Sequence, residues 1–298
     1  TWGLARALEA AGARRTLDVT WVDEDRQALE LAAAIARRRE GRGRVALRVR
    51  ALSPLGGALD GLGRFDVVLA GQVLSELDVG SPDPWRAERH ADRLDALVDR
   101  HTEPGGAVIV IEPALRDRTR HLHRVRDVLA ARGTAIFAPC LHAAACPALA
   151  RPSDWCHEDV PVDLPPWLVP VARAAGLRHQ GLTFSYLVLR RNGARLADAL
   201  PAPAGAARLR VVSTPIRTKG KREVFLCGEL AATGTVPNVL VPGGVRAMRL
   251  DRDARPANAA WEELNRGDVI SVTPAIGHDC PRVLADTRID RFGETESR

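Results

Sequence analysis

Long hydrophobic runs are missing from this 298-residue sequence. Its longest apolar pieces are strand-sized, AVIVI among them, far short of the ~20 residues that a bilayer-spanning helix needs, so no membrane span is expected. Cysteine is scarce, with five in all, which does not suit the disulfide frame of a small secreted scaffold; a reducing cytoplasm fits better. Lysine is almost absent, Lys219 and Lys221 being the only two among 43 basic residues. Arginine therefore carries the net charge of +6. With abundant alanine, one Met and one Tyr, this composition reflects a GC-rich bacterial gene, and the expected location is the bacterial cytoplasm. A positive balance of this size suits a phosphate-bearing partner, yet it is also common among plain enzymes. What is plentiful is core material: 46% of residues are hydrophobic, enough for one large domain or a large and a small one. The first residue is Thr1, and any targeting segment would lie before it.

Through residue 190, helical and strand patterns alternate. TWGLARALEAAG reads as a helix stopped by Gly12 and TLDVTWVD as a strand; DRQALELAAAIARRR follows as a helix with Leu29, Ala33 and Ala36 on one face, then RVALRVR as a strand. RFDVVLAG and GGAVIVIEP read as buried strands, the first apolar enough for burial on both faces. Between them WRAERHADRLDALVDRH is a helix with Ala91, Leu94, Leu97 and Val98 inward, and LRDRTRHLHRVRDVLAARG is a helix ended by Gly133. This alternation predicts right-handed crossovers and an α/β fold with a doubly wound, mostly parallel sheet covered on both sides. A cysteine-rich insertion, residues 137–166, precedes a short helix and a strand pair ending in FSYLVLRR. The segment ALPAPAGAA, residues 199–207, has linker composition. It divides a first domain, 1–198, from a small β domain, 208–298, of short strands such as RLRVVS, REVFLCGEL and DVISVTPA.

In a doubly wound sheet, ligands bind at the carboxyl ends of strands. Asp23, at the end of WVDED, is placed to accept hydrogen bonds from both hydroxyls of a ribose, or else to serve as an acid capping the next helix. The glycine-rich turn expected before the first helix is absent, and its strand and loop would precede Thr1. FDVVLAGQVLSEL, residues 65–77, resembles the fourth-strand segment of class I S-adenosylmethionine methyltransferases; PGGAVIVIEP, residues 104–113, resembles their fifth strand with its Pro-Gly-Gly turn. The resemblance implies that Gln72, Ser75 and Glu76 face the methyl-donor pocket, Glu76 being readable also as a solvated helix-start acid. Methyl transfer is an in-line displacement that needs positioning more than acid–base machinery. The Asn-Pro-Pro-aromatic motif of amine methylation is missing, and FAPC at 137–140 lacks the acid of the cytosine C5 enzymes. A nucleophilic Cys140 is not expected, and no catalytic residue is assigned.

Cys140, Cys146 and Cys156 lie in one loop stiffened by Pro139, Pro147 and Pro152. Cysteines flanked by Pro, His and Asp make poor core residues, and a fourth soft ligand would complete either tetrahedral zinc or an iron–sulfur cluster. His142, His157, Cys227 and Cys280 are the candidates. APCLHAAACP, DWCHEDVPVDLP, FSYLVLRR and TPIRTKGKREVFLCG resemble the methyltransferase-like small-ribosomal-subunit assembly factors of bacteria and mitochondria, from the first helix to about residue 230. The resemblance implies a class I methyltransferase fold, S-adenosylmethionine as cofactor, and a [4Fe-4S] cluster on Cys140, Cys146, Cys156 and Cys227, with Cys280 a free thiol. A zinc ion could do the same stapling. It also implies the small ribosomal subunit and its RNA as partners, and we expect a monomer off the ribosome. The protein would methylate that RNA or bind it without catalysis; a small-molecule methyltransferase with a structural zinc is the alternative. The basic loop Arg217, Lys219, Lys221, Arg222 just before Cys227 is the expected RNA contact, its other reading being a solvated turn.

Overall fold

The computed structural model describes residues 1–14, 16–38, 46–53, 59, 61–176, 181–232, 239–279 and 281–293. Contacts divide the chain into two compact units, Thr1–Gly63 and Arg64–Arg298.

In the first unit, α1 (Trp2–Ala10) turns inward on Ala5 and gives way at Gly12, whose φ of +80° ends the helical path. Strand β1 (Thr16–Val22) and strand β2 (Ala46–Ser53) pair in parallel, joined by α2 (Arg26–Arg38). The expected face of α2 is the buried one: Leu29, Ala33 and Ala36, three and four residues apart. Asp25 caps this helix, its Oδ1 accepting the Gln27 and Ala28 N–H groups at 2.8 and 3.1 Å.

The second unit begins with β3 (Phe65–Gly71), α3 (Asp83–His101), β4 (Thr102–Pro113), α4 (Arg116–Ala131) and β5 (Ile136–Ala138). After the cysteine segment come β6 (Glu158–Val160), α5 (Val169–Ala174), β7 (Leu182–Arg190) and α6 (Leu196–Ala199). The sheet order is β3-β4-β7-β5, with β6 added along β7. The structure refines the expected doubly wound, mostly parallel sheet. β3 and β4 pair in parallel and β7 is antiparallel to β4, β5 and β6, so the sheet is mixed, with β7 alone opposing the direction that the other four strands share. The physical reason is connectivity: β7 is reached through the long cysteine segment and enters between β4 and β5 from the opposite end.

β3 also departs from expectation. Val68 and Ala70 pack on the core, while Val67 and Leu69 on the other face are exposed. Helices α3 and α4 both contribute to that core, Leu94 and Val98 meeting Val108, Val110, Leu122, Val125, Leu129 and Leu189. Each such side chain contributes roughly 1.5–3 kcal/mol by leaving water.

Beyond α6 the chain forms β8 (Ala207–Val211), β9 (Ile216–Thr218), β10 (Lys221–Ala231), β11 (Leu240–Leu250), β12 (Val269–Thr273), β13 (Arg282–Val283) and β14 (Arg288–Arg291). Their order is β13-β11-β10-β8-β12-β14, with β9 beside β10. A second core fills this sheet, built from alternate residues such as Leu209, Val211, Val224 and Leu226 and closed by Trp261 in the short helical turn Pro256–Glu262. Gly228 on β10 has φ +154°, and a Cβ there would lie 2.3 Å from the Arg208 carbonyl oxygen. Only glycine lets β10 come this close to β8.

Candidate functional site

Three groups of residues singled out in the sequence have distinct settings. Asp23 lies exposed at the carboxyl end of β1 and accepts the Asp25 N–H at 2.9 Å. The capping role belongs to Asp25, two residues on.

Gln72, Ser75 and Glu76 share the turn that follows β3 in the second unit. Gln72 has φ +59°, an uncommon conformation for a residue with a side chain, and its N–H donates to the Ile111 carbonyl at 2.7 Å. The Ser75 hydroxyl donates back to the Gln72 carbonyl at 3.2 Å, whereas Glu76 is exposed. The anchor of this turn is a residue the sequence reading passed over, Glu112 at the end of β4. Its carboxylate accepts the N–H groups of Leu74 at 2.8 Å and Ser75 at 3.2 Å. Burial pushes the Glu112 carboxyl up, and the Ser75 hydroxyl and the two amides pull it back. Its signal was visible in the sequence: an acid inside an otherwise apolar strand, where it must find donors.

The four cysteines of the expected site converge. Cys140 follows β5, Cys146 precedes the one-turn helix Pro147–Leu149, Cys156 precedes β6, and Cys227 sits mid-way along β10. All four are free thiols. Burial raises the Cys227 thiol well above its ordinary value, and Cys140, Cys156 and Cys146 each raise it further. Burial likewise pushes Cys146 up to about 12, with contributions from Cys140 and Cys156. His142 approaches too, its Nε2 3.4 Å from Cys227 Sγ. Among the described residues, no three His, Cys, Asp or Glu side chains close on a point that one metal ion could occupy. Cys280 lies outside the described residues.

Two details explain how a loop meets a strand here. Gly244 of β11 is the cross-strand partner of Cys227, and Pro147 seats on it; a Cβ at 244 would stand 3.1 Å from Pro147 Cβ. Arg210 of β8 forms a buried ion pair with Glu158 of β6, and Arg266 donates to the carbonyls of His157 and Val212 at 3.1 and 2.8 Å. Arg210 and Arg266 both face Cys156, whose thiol is raised by burial and drawn back by these cations. On the α4 side, Arg126 is almost wholly buried, feels the Cys140 sulfur electrostatically and donates to the carbonyls of His142 and Ala144.

The basic residues before Cys227 divide between two settings. Thr218 pairs with Lys221 across a two-residue turn in which Gly220 has φ +79°. Lys219 at its tip is exposed. Arg217 is exposed and pairs with Glu262, and Lys221 lies 3.2 Å from the Glu223 carboxylate. Arg222 turns inward, donating to the Leu264 carbonyl at 2.9 Å.

The family described as mitochondrial small ribosomal subunit Rsm22 matches residues 4–236, more than half of the chain and all four converging cysteines. The chain belongs to the Rsm22 family. No curated protein matches this Rsm22 chain. A solved crystal structure of a methyltransferase from Pyrococcus furiosus is similar at 15% identity, over 64% of this chain and 83% of that one, with a TM-score of 0.34. So loose a likeness assigns no function. What the Rsm22 match adds is that the turn after β3, the cysteine segment and the β9–β10 turn all lie within one family region.

Proposed function

We propose that this chain is a methyltransferase-like factor of the small ribosomal subunit, binding that subunit's RNA and S-adenosylmethionine, with a four-cysteine [4Fe-4S] centre as its structural staple. The observation that carries the reading is the meeting of Cys140, Cys146 and Cys156, from the loop segment that runs between β5 and β6, with Cys227, from a strand of the other sheet, inside the region matched to the Rsm22 family. An all-thiol donor set is soft, as iron–sulfur chemistry requires. The four sulfurs influence one another yet leave no single-ion site among the described residues. Arg126, Arg210 and Arg266 would offset the negative charge of four thiolates. When bound, the cluster supplies cross-linking between the cysteine segment and β10. By the family resemblance Asp23 is the expected ribose anchor of the first unit; in the second, Gln72 and Ser75 are the expected methyl-donor residues, their turn fixed by Glu112. Arg217 and Lys219, exposed at the β9–β10 turn, would meet phosphate.

One experiment with two readings tests this. Full-length protein purified without oxygen should be brown and hold about four irons per chain; Cys227→Ser should lose them. A colourless preparation with about one zinc would replace the cluster by an ion. The same preparation should bind small-subunit RNA with an affinity that falls steeply with salt, and changing Arg217 and Lys219 to Ser should flatten the log–log slope by about two. An unchanged slope would remove this turn from the RNA interface.

A further inference from the structure

We infer that α4 is a template that holds the cysteine segment in its ligand-bearing shape before any metal arrives, with Asp127 and His123 as the positioning residues. The inference rests on the four-thiol centre proposed above. Side chains from two turns of one helix reach the backbone of the segment from 142 to 156. Both carboxylate oxygens of Asp127 lie 3.0 Å from the Cys146 amide nitrogen and accept its N–H. Arg126 holds that carboxylate from the other side at 2.7 Å and takes the carbonyls of His142 and Ala144. His123, buried on the inward face of α4, accepts the Cys156 N–H through Nε2 at 3.1 Å. Arg120 donates through one nitrogen to the carbonyls of Ala148, Arg151 and Asp154 at 2.8, 2.7 and 2.6 Å.

None of these helix groups is a sulfur ligand, yet together they satisfy the polar backbone on both sides of Cys146 and next to Cys156. A loop shaped only by its metal would leave those amides and carbonyls to water. Several of these bonds involve a full charge, the stronger class of hydrogen bond. Across the centre, the glycine at 244 receives Pro147, so the residue after Cys146 is fixed from the opposite side as well. Metal then has only to join Cys227 to three sulfurs already placed.

Amide hydrogen exchange on the metal-free full chain tests this, read at the Cys146 and Cys156 N–H groups and, as reference, at Leu226 in β10. In wild type both cysteine amides should be protected without metal. Asp127→Ala should accelerate exchange at Cys146 by about tenfold or more, the loss of a bond to a charged acceptor, and leave Cys156 and Leu226 unchanged. His123→Phe should do the reverse, releasing Cys156 alone. Should Asp127→Ala fail to fold, Asp127→Asn, which keeps one acceptor, should give a smaller acceleration confined to Cys146. Free exchange of both amides in metal-free wild type, or identical rates in wild type and variants, would overturn the template. Reconstitution of wild type with ferrous iron and sulfide, and separately with zinc, reads the other claim. A chain that holds neither would sink the metal centre, while protected amides would keep the template.

Discussion

His90 of α3 and His121 of α4 form a buried pair whose protonation should cost the fold measurable stability. His121 Nε2 lies 2.9 Å from His90 Nδ1, and His90 Nε2 lies 3.4 Å from the Asp78 carboxylate. With both rings neutral, His121 donates to His90, and the remaining His90 N–H faces Asp78. Burial holds each imidazole down to about 4, and Arg86 reinforces this for both; Arg93 adds to it at His90 and Arg124 at His121, while Asp78 and Asp83 oppose it. The sign follows from the lowered folded value. The unfolded chain takes up protons near pH 6.5 and the folded chain only near pH 4, so stability is full above about pH 7 and is lost as pH falls through that window. At pH 5 the loss is about 2 kcal/mol for an isolated ring. Coupling between the rings acts on the folded state, which is almost unprotonated at pH 5, so the two contributions add and about 4 kcal/mol for the pair is the expected size. The assay is urea unfolding at pH 7.5 and pH 5 for wild type and for His90→Leu/His121→Leu, which keeps the volume and removes the protons. His123, His142 and His157 are lowered as well, so the difference between the two proteins is the quantity to read. If both proteins lose the same free energy between the two pH values, the buried pair does not behave as argued.

Gly228→Ala should destabilise the strand pair β8–β10 by several kcal/mol, the new methyl meeting the Arg208 carbonyl in a backbone conformation that disfavours side chains; a midpoint in urea within error of wild type would show that the strands can move apart. Asp23→Ala should weaken S-adenosylmethionine binding by about 1.5–3 kcal/mol, one charged acceptor lost, measured by calorimetry; equal affinity would leave Asp23 only its bond to Asp25.

The sequence made some features legible and hid others for definite reasons. The helices through α4 follow from apolar spacing, because Leu29, Ala33 and Ala36 or Leu94 and Val98 leave no other face to bury. Strand direction was not legible: FSYLVLRR reads the same whether β7 runs with or against β4, and its antiparallel course depends on where a long insertion returns the chain. The cysteines were readable as a group because soft, loop-borne residues with proline between them have few other uses. Their supports were not. Arg120, His123, Arg126 and Asp127 sit in a helix whose many arginines do not point to its inner face, yet Thr119, His121, His123 and Arg126 are buried. Glu112 stood out as the single acid in a run of valine and isoleucine, but its donors, the Leu74 and Ser75 amides, lie far off in the sequence and nothing there names them.

β10 is continuous from Lys221 to Ala231, with the exposed turn at one end and Cys227 six residues along it. At ~3.4 Å per residue the turn stands about 20 Å from the sulfur. Every residue of β10 is paired with β11, so the exposed turn and Cys227 sit on one hydrogen-bonded ribbon, and the backbone that presents the thiol is the same one that sets where Lys219 is held out.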